Sequence, residues 1–161
     1  MTSSELRVSP SDTTSVAPLQ NHLDQAQAEL IRRTRTAGAG LTALGEYSDQ
    51  IDDLLGLIYK KAQQNTEAPH AVIAVGGYGR RQMVLHSDVD ILIVFDQPVG
   101  PSEETFLKSM LHPLWDLRLE VGHHVRELAT LEAVESENPE YLVSLLDARF
   151  LAGNTTVFND F

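Results

Sequence analysis

Residues 71–95 read AVIAVGGYGRRQMVLHSDVDILIVF. An apolar run, Ala71 to Val75, leads into three glycines, Gly76, Gly77 and Gly79, and then two arginines, Arg80 and Arg81. A pair of aspartates one residue apart, Asp88 and Asp90, precedes a second apolar run, Ile91 to Phe95. Short runs rich in Val and Ile and bounded by turn residues read as buried strands. Alternate residues of an extended chain share a face. Asp88 and Asp90 therefore project together, while Val89 and Ile91 point the other way.

Two carboxylates held side by side repel unless a cation lies between them. Magnesium takes oxygen ligands and is commonly held by one or two carboxylates together with substrate phosphates. Asp88 and Asp90 are therefore candidate metal ligands. Gly76 and Gly77 carry no Cβ, so phosphate oxygens can approach their N–H groups closely. The expected helix after the first strand opens near Tyr78, Gly79 and Arg80, with its N-terminal amides toward a triphosphate. Arg80 is the candidate side-chain phosphate contact, and Arg81 reads as more exposed. Ser87 either orients Asp88, contacts a phosphate or closes the turn before the strand. A lone Gly-Gly-x-Gly usually marks a turn, and an isolated Asp-x-Asp is usually solvated. Their order between two strand-like runs carries the functional reading.

Gly-Gly-Tyr-Gly-Arg at 76–80, with Ser-Asp-Val-Asp at 87–90 and an apolar strand after it, resembles the signature of DNA polymerase β-type nucleotidyltransferases. More narrowly, it resembles the N-terminal catalytic domain of the bacterial PII uridylyltransferase/uridylyl-removing enzymes. Two positions depart from that family's usual pattern: Gln82, where Glu is common, and Leu85, where Pro is common. The passages WDLRLEVGH at 115–123 and LDARFLAG at 146–153 are similar to the same family.

The resemblance implies an α+β fold of the polymerase β-type, a small mixed sheet packed against helices and preceded by an N-terminal helix pair. It implies a magnesium-dependent enzyme that transfers UMP from UTP to a tyrosine hydroxyl of the signalling protein PII and releases pyrophosphate. It also implies a third metal-binding carboxylate, on a strand antiparallel to the one bearing the first two. Glu120 takes that role, being the acidic residue on the open face near the start of a third strand expected over Leu119 to Leu128. His124 falls on the same side by alternation and is a candidate for positioning a phosphate or hydroxyl, whereas His123 is expected to face the core. Arg149 is either buried in a salt bridge or in contact with nucleotide, and the structural role is the favoured one. The family's uridylyl-removing activity belongs to a separate hydrolase domain that does not fit in 161 residues. The chain therefore reads as the transferase domain, residues 19–161, of a longer protein. Three other readings stay open: a nucleotidyltransferase of the same fold with another nucleotide or acceptor, a catalytically silent nucleotide-binding module, and a simple structural domain, which is disfavoured because two aspartates beside a buried strand serve no core purpose.

The rest of the chain bounds this reading. The formal net charge of −11 argues against a nucleic-acid groove, which usually shows a basic stripe. Cysteine is absent, which removes disulfides and thiol catalysis. No apolar run reaches the roughly 18 residues a membrane span needs, and the first residues lack the pattern of a signal peptide, so a cytoplasmic setting is the default. Residues 1–18, rich in Ser, Thr and Pro, read as a disordered tail. Helices are expected over 19–37, over 49–63 with Ser48 as cap and Asp49, Asp52 and Asp53 in the first turn, and from Ser102 toward Arg118 with a kink or break at Pro113. A further helix or helix pair is expected over 131–150, with Arg149 in its last turn.

Overall fold

The computed structural model describes residues 16–36, 38, 40–131 and 139–161. Two long helices come first, α1 (Val16–Thr34) and α2 (Gly40–Ala62). Then follow β1 (His70–Ala74), the single-turn helix α3 (Gly76–Gly79), β2 (Ile91–Phe95), α4 (Pro101–Asp116) and β3 (His123–Glu127). The chain closes with α5 (Pro139–Leu145), β4 (Arg149–Gly153) and α6 (Thr155–Asp160). The four strands form one mixed sheet in the order β3-β2-β1-β4. β1 pairs antiparallel with both β2 and β4, and β2 runs parallel to β3. This is the α+β class expected, with the helix pair ahead of the sheet.

The apolar runs form the centre because every residue of β1 and β2 is buried. Their alternation divides the core. Val72, Ala74, Ile91, Ile93 and Phe95 face the helices, against Ile51, Leu54 and Ile58 of α2 and Phe106, Met110 and Leu114 of α4. Ala71, Ile73, Leu92 and Val94 face the other way, against Val157, Phe158 and Phe150. Burying one such side chain stabilises by about 1.5–3 kcal/mol. The sheet is thus a rigid base for the loops at its ends. Among the described residues no helix is long and apolar enough to cross a membrane.

Several expectations need correction. The tail was expected to reach residue 18, but α1 begins at Val16, and residues 1–15 lie outside the described residues. α2 begins at Gly40, nine residues before the expected start, because Ala43 and Tyr47 extend the buried stripe of Ile51, Leu54 and Ile58 upstream by one further turn each. Ser48 is consequently not a cap: it is buried and donates its hydroxyl to the Leu44 carbonyl. Asp49, Asp52 and Asp53 lie mid-helix rather than in a first turn. α4 is one helix that runs through Pro113 without dividing.

The third strand is shorter than expected, starting at His123, and it is parallel to β2 rather than antiparallel. Its connection to β2 contains α4, and a helical crossover brings the chain back in the same direction. Residues 119–122 still run alongside β2's approach, with the Val89 N–H donating to the Glu120 carbonyl and the Ile91 N–H to that of Gly122. His123 is exposed, its ring 5.9 Å from that of Trp115, instead of facing the core. Of the helix expected over 131–150, residues 132–138 lie outside the described residues. α5 ends at Leu145, and Arg149 opens a strand.

Candidate active site

The site lies where β1 ends and β2 begins. β1 gives way at Val75 to α3, whose first residue, Gly76, has φ +57°, a left-handed conformation that costs a glycine nothing. A helix of one turn leaves its first N–H groups without intrahelical acceptors, and the first bond here runs from the Gly79 N–H to the Val75 carbonyl. Gly76 and Gly77 are half-buried, and no backbone acceptor for their N–H groups is found among the described residues.

Across from this turn, Asp88, Val89 and Asp90 lead into β2. Val89 is fully buried, Asp88 is exposed and Asp90 is half-buried. This is the burial alternation expected of an extended chain, with Val89 packed in the core that α2 and α4 share with the sheet. The Val75 N–H donates to the Asp90 carbonyl at 3.1 Å, which clamps the aspartate's backbone to the start of the glycine turn. Its carboxylate sits between two glycine backbones. A Cβ on Gly76 would come within 3.3 Å of Asp90 Oδ2, and a Cβ on Gly122 would overlap Asp90 Oδ1. Burial, and secondarily the charge of Asp88, raises the Asp90 pKa above the ordinary carboxylate value. A divalent cation would relieve that penalty. The two carboxylates thus supply hard oxygen donors, neither forms an ion pair with a cation among the described residues, and they suit magnesium.

Glu120 is exposed at the same end of the sheet, two residues before Gly122, so alternation puts it on Gly122's side. Among the described residues, however, no group of three His, Cys, Asp or Glu side chains is gathered closely enough to hold a metal, so the Glu120 carboxylate does not join the aspartate pair in this structure. His124 is exposed as well, and burial is the first of the causes that lower its pKa. The Ser87 hydroxyl accepts the Val84 N–H at 2.9 Å and so closes the turn before the aspartates.

Both arginines after the glycines engage aspartates. Arg80 Nη1 bonds Asp147 Oδ2 at 2.5 Å, with the arginine side chain still about half exposed (47%). Arg81, at φ +59°, pairs with Asp49 of α2. Behind the turn, Asp52 accepts the Tyr78 hydroxyl at 2.6 Å and both terminal nitrogens of Arg149, at 2.6 and 3.1 Å. Sequence reading placed Arg149 in a salt bridge but did not connect it to Asp52 or to the glycine turn. It also gave no role to Gly122. The one available signal was that Gly122 falls in the same alternating register as Glu120.

Residues 21–123 match a protein family described as "Putative nucleotidyltransferase DUF294". Among curated proteins, the chain is 33% identical over 143 residues to one from Methylococcus capsulatus, an alignment covering 89% of this chain and 16% of that protein. It is 35% identical over 149 residues to one from Bordetella avium, covering 92% and 17%. It is 47% identical over 90 residues to one from Cereibacter sphaeroides, covering 55% and 10%. Each of the three carries the name bifunctional uridylyltransferase/uridylyl-removing enzyme. This chain therefore spans less than a fifth of the length of each of these relatives.

Proposed function

Because the chain belongs to the nucleotidyltransferase family DUF294, we propose that it transfers a nucleoside monophosphate from a nucleoside triphosphate to a hydroxyl. The proposed donor is UTP and the proposed acceptor a tyrosine of a PII-type signalling protein, in the cytoplasm. The observation that carries the reading is the seat of Asp90: its carboxylate lies against the Gly76 turn and beside Asp88, so acid pair and amide-lined turn border one space. The curated relatives' printed name supports uridylyl as the transferred group.

In this proposal Asp88 and Asp90 would hold magnesium, with Glu120, exposed at the same end of the sheet, as the proposed third carboxylate. The metal supplies neutralisation of triphosphate charge and a lower pKa for the attacking hydroxyl. Gly76 and Gly77 donate their free N–H groups to phosphate oxygens, and the exposed Arg80 guanidinium leaves Asp147 to do the same. Ser87 closes the turn before Asp88 and is the proposed further phosphate contact. The acceptor oxygen attacks the α-phosphorus, the bond to the β-phosphate breaks, pyrophosphate leaves and the hydroxyl proton is released. Positioning and electrostatics do most of the work in such transfers.

The test is incubation of the chain with magnesium, a PII protein and each of UTP, ATP, CTP and GTP in turn, with mass analysis of the acceptor. A gain of one uridylyl group on a tyrosine, from UTP alone, is expected. Transfer of another nucleotide would reassign the donor. Binding of UTP with no pyrophosphate formed would make this a nucleotide-binding module instead of an enzyme.

A further inference from the structure

A helix of four residues cannot hold its shape by its own bonds, because nucleation costs more than one turn returns. Something outside α3 must fix it, and Arg149 is placed to do so. As the first residue of β4 it reaches under the turn, donating Nε–H to the Gly79 carbonyl and Nη2–H to the Tyr78 carbonyl, both at 3.2 Å. The rest of the guanidinium is locked by the Asp52 carboxylate of α2. Asp52 also accepts the Tyr78 hydroxyl, and the guanidinium carbon stands 5.3 Å from the centre of the Tyr78 ring, which is buried. α2, α3 and β4 thus meet at one cation.

The direction of these bonds matters. The guanidinium takes the carbonyl end of the turn, and the Gly76 and Gly77 N–H groups, which have no backbone acceptor among the described residues, lie at the other end, where Gly76 borders the Asp90 carboxylate. A cation at the carbonyl end aligns with the peptide dipoles of the turn. A salt bridge with no further purpose would need only Asp52, yet two of the four bonds go to the turn's backbone. Only a planar fork satisfies both sets, and a lysine ammonium cannot.

We propose that Arg149, oriented by Asp52, is a positioning residue that presents the Gly76 and Gly77 amides to the nucleotide's phosphates. This rests on the nucleotidyl-transfer reading above.

The experiment compares the parent chain with Arg149→Lys and Asp52→Asn by melting temperature and by calorimetric titration with magnesium–UTP. Hydrogen exchange at Gly76 and Gly77 is followed in the parent. Arg149→Lys keeps a cation beside Asp52 and is expected to melt within a few degrees of the parent, yet to bind magnesium–UTP about tenfold more weakly, because preorganisation is lost. Parent-like melting with parent-like affinity overturns the proposal. Should the lysine variant fail to fold, folded Asp52→Asn carries the same comparison with the same two outcomes. In the parent, magnesium–UTP is expected to slow exchange at both glycine amides, and unchanged exchange despite binding also overturns the proposal. A parent that binds no nucleoside triphosphate is a separate result, since it removes the functional reading itself.

Discussion

The Asp90 carboxylate rests directly on the backbone of Gly122, leaving no room for a side chain there. Gly122→Ala should push the carboxylate out of its seat. Gly122 is only half-buried, so the melting temperature should stay within a few degrees of the parent. A misplacement of about 1 Å at a reacting centre can cost about a hundredfold in rate, and a loss of that order in pyrophosphate release is expected. Parent-like turnover in Gly122→Ala would falsify the assignment of Asp90 as a metal ligand held in a fixed position.

Asp88→Asn and Asp90→Asn should each abolish transfer while the fold persists. Without metal, removing either of two repelling charges should leave the melting temperature equal or higher. A ligand that binds only the folded state stabilises it, by about 2.7 kcal/mol at a hundred times its dissociation constant. Magnesium should therefore raise the parent's melting temperature and not that of either variant. A thermal-shift titration checks this, and equal shifts in all three chains would move the metal elsewhere.

Asp147→Asn releases Arg80 from its ion pair. The pair is substantially exposed, so little stability is at stake, roughly 0.2–1 kcal/mol. A free guanidinium should favour the triphosphate, and UTP should bind severalfold more tightly at low salt, with the gain shrinking as ionic strength rises. Weaker UTP binding in this variant would mean that Asp147 orients Arg80 instead of competing for it.

Glu103, near the start of α4, is held at a pKa of about 2 by hydrogen bonds, first from Ser102, then from Thr66 and backbone groups including the Gly100 N–H. Its folded value is depressed below the ordinary 4.5. The stabilisation is therefore complete above pH 4.5 and is lost as the pH falls toward about 2. Glu103→Gln should lower the melting temperature at pH 7 and flatten the melting profile across that acid window. A parallel, unflattened profile in circular dichroism melts would assign the acid loss to other carboxylates.

Gly56 lies within α2 at an ordinary helical position, and a Cβ there meets nothing within 4 Å. Gly56→Ala should stabilise by about 0.5–1 kcal/mol, which for a chain of this size is about 1–4 °C in melting temperature. Activity should be unchanged, since α2 contributes to the site through Asp49 and Asp52 on another turn. A lower melting temperature would reveal a constraint on α2 that its packing does not display.

Much of this was legible in local patterns. β2 runs from Ile91 to Phe95 as the apolar run does, and β1 is displaced by a single residue. Alternation alone put Asp88 and Asp90 on one side of the chain, because buried Val89 separates them. β4 was not legible. It is an edge strand with half-buried residues, so Arg149 to Gly153 offers no continuous apolar run, and the leucines before it read as more helix. The parallel pairing of β2 with β3 had a signal that went unused, namely a helix long enough for a crossover between them.

The sequence by itself determined the central strands, the glycine turn and the paired aspartates, because each depends on the character of residues close together in the chain. Only the tertiary structure decided that Gly122 makes room for Asp90, that Asp147 holds Arg80, and that Asp52 and Arg149, 97 positions apart, grip the turn from beneath. Such partners are chosen by how the helices and the sheet edge come together, and no local periodicity encodes that choice.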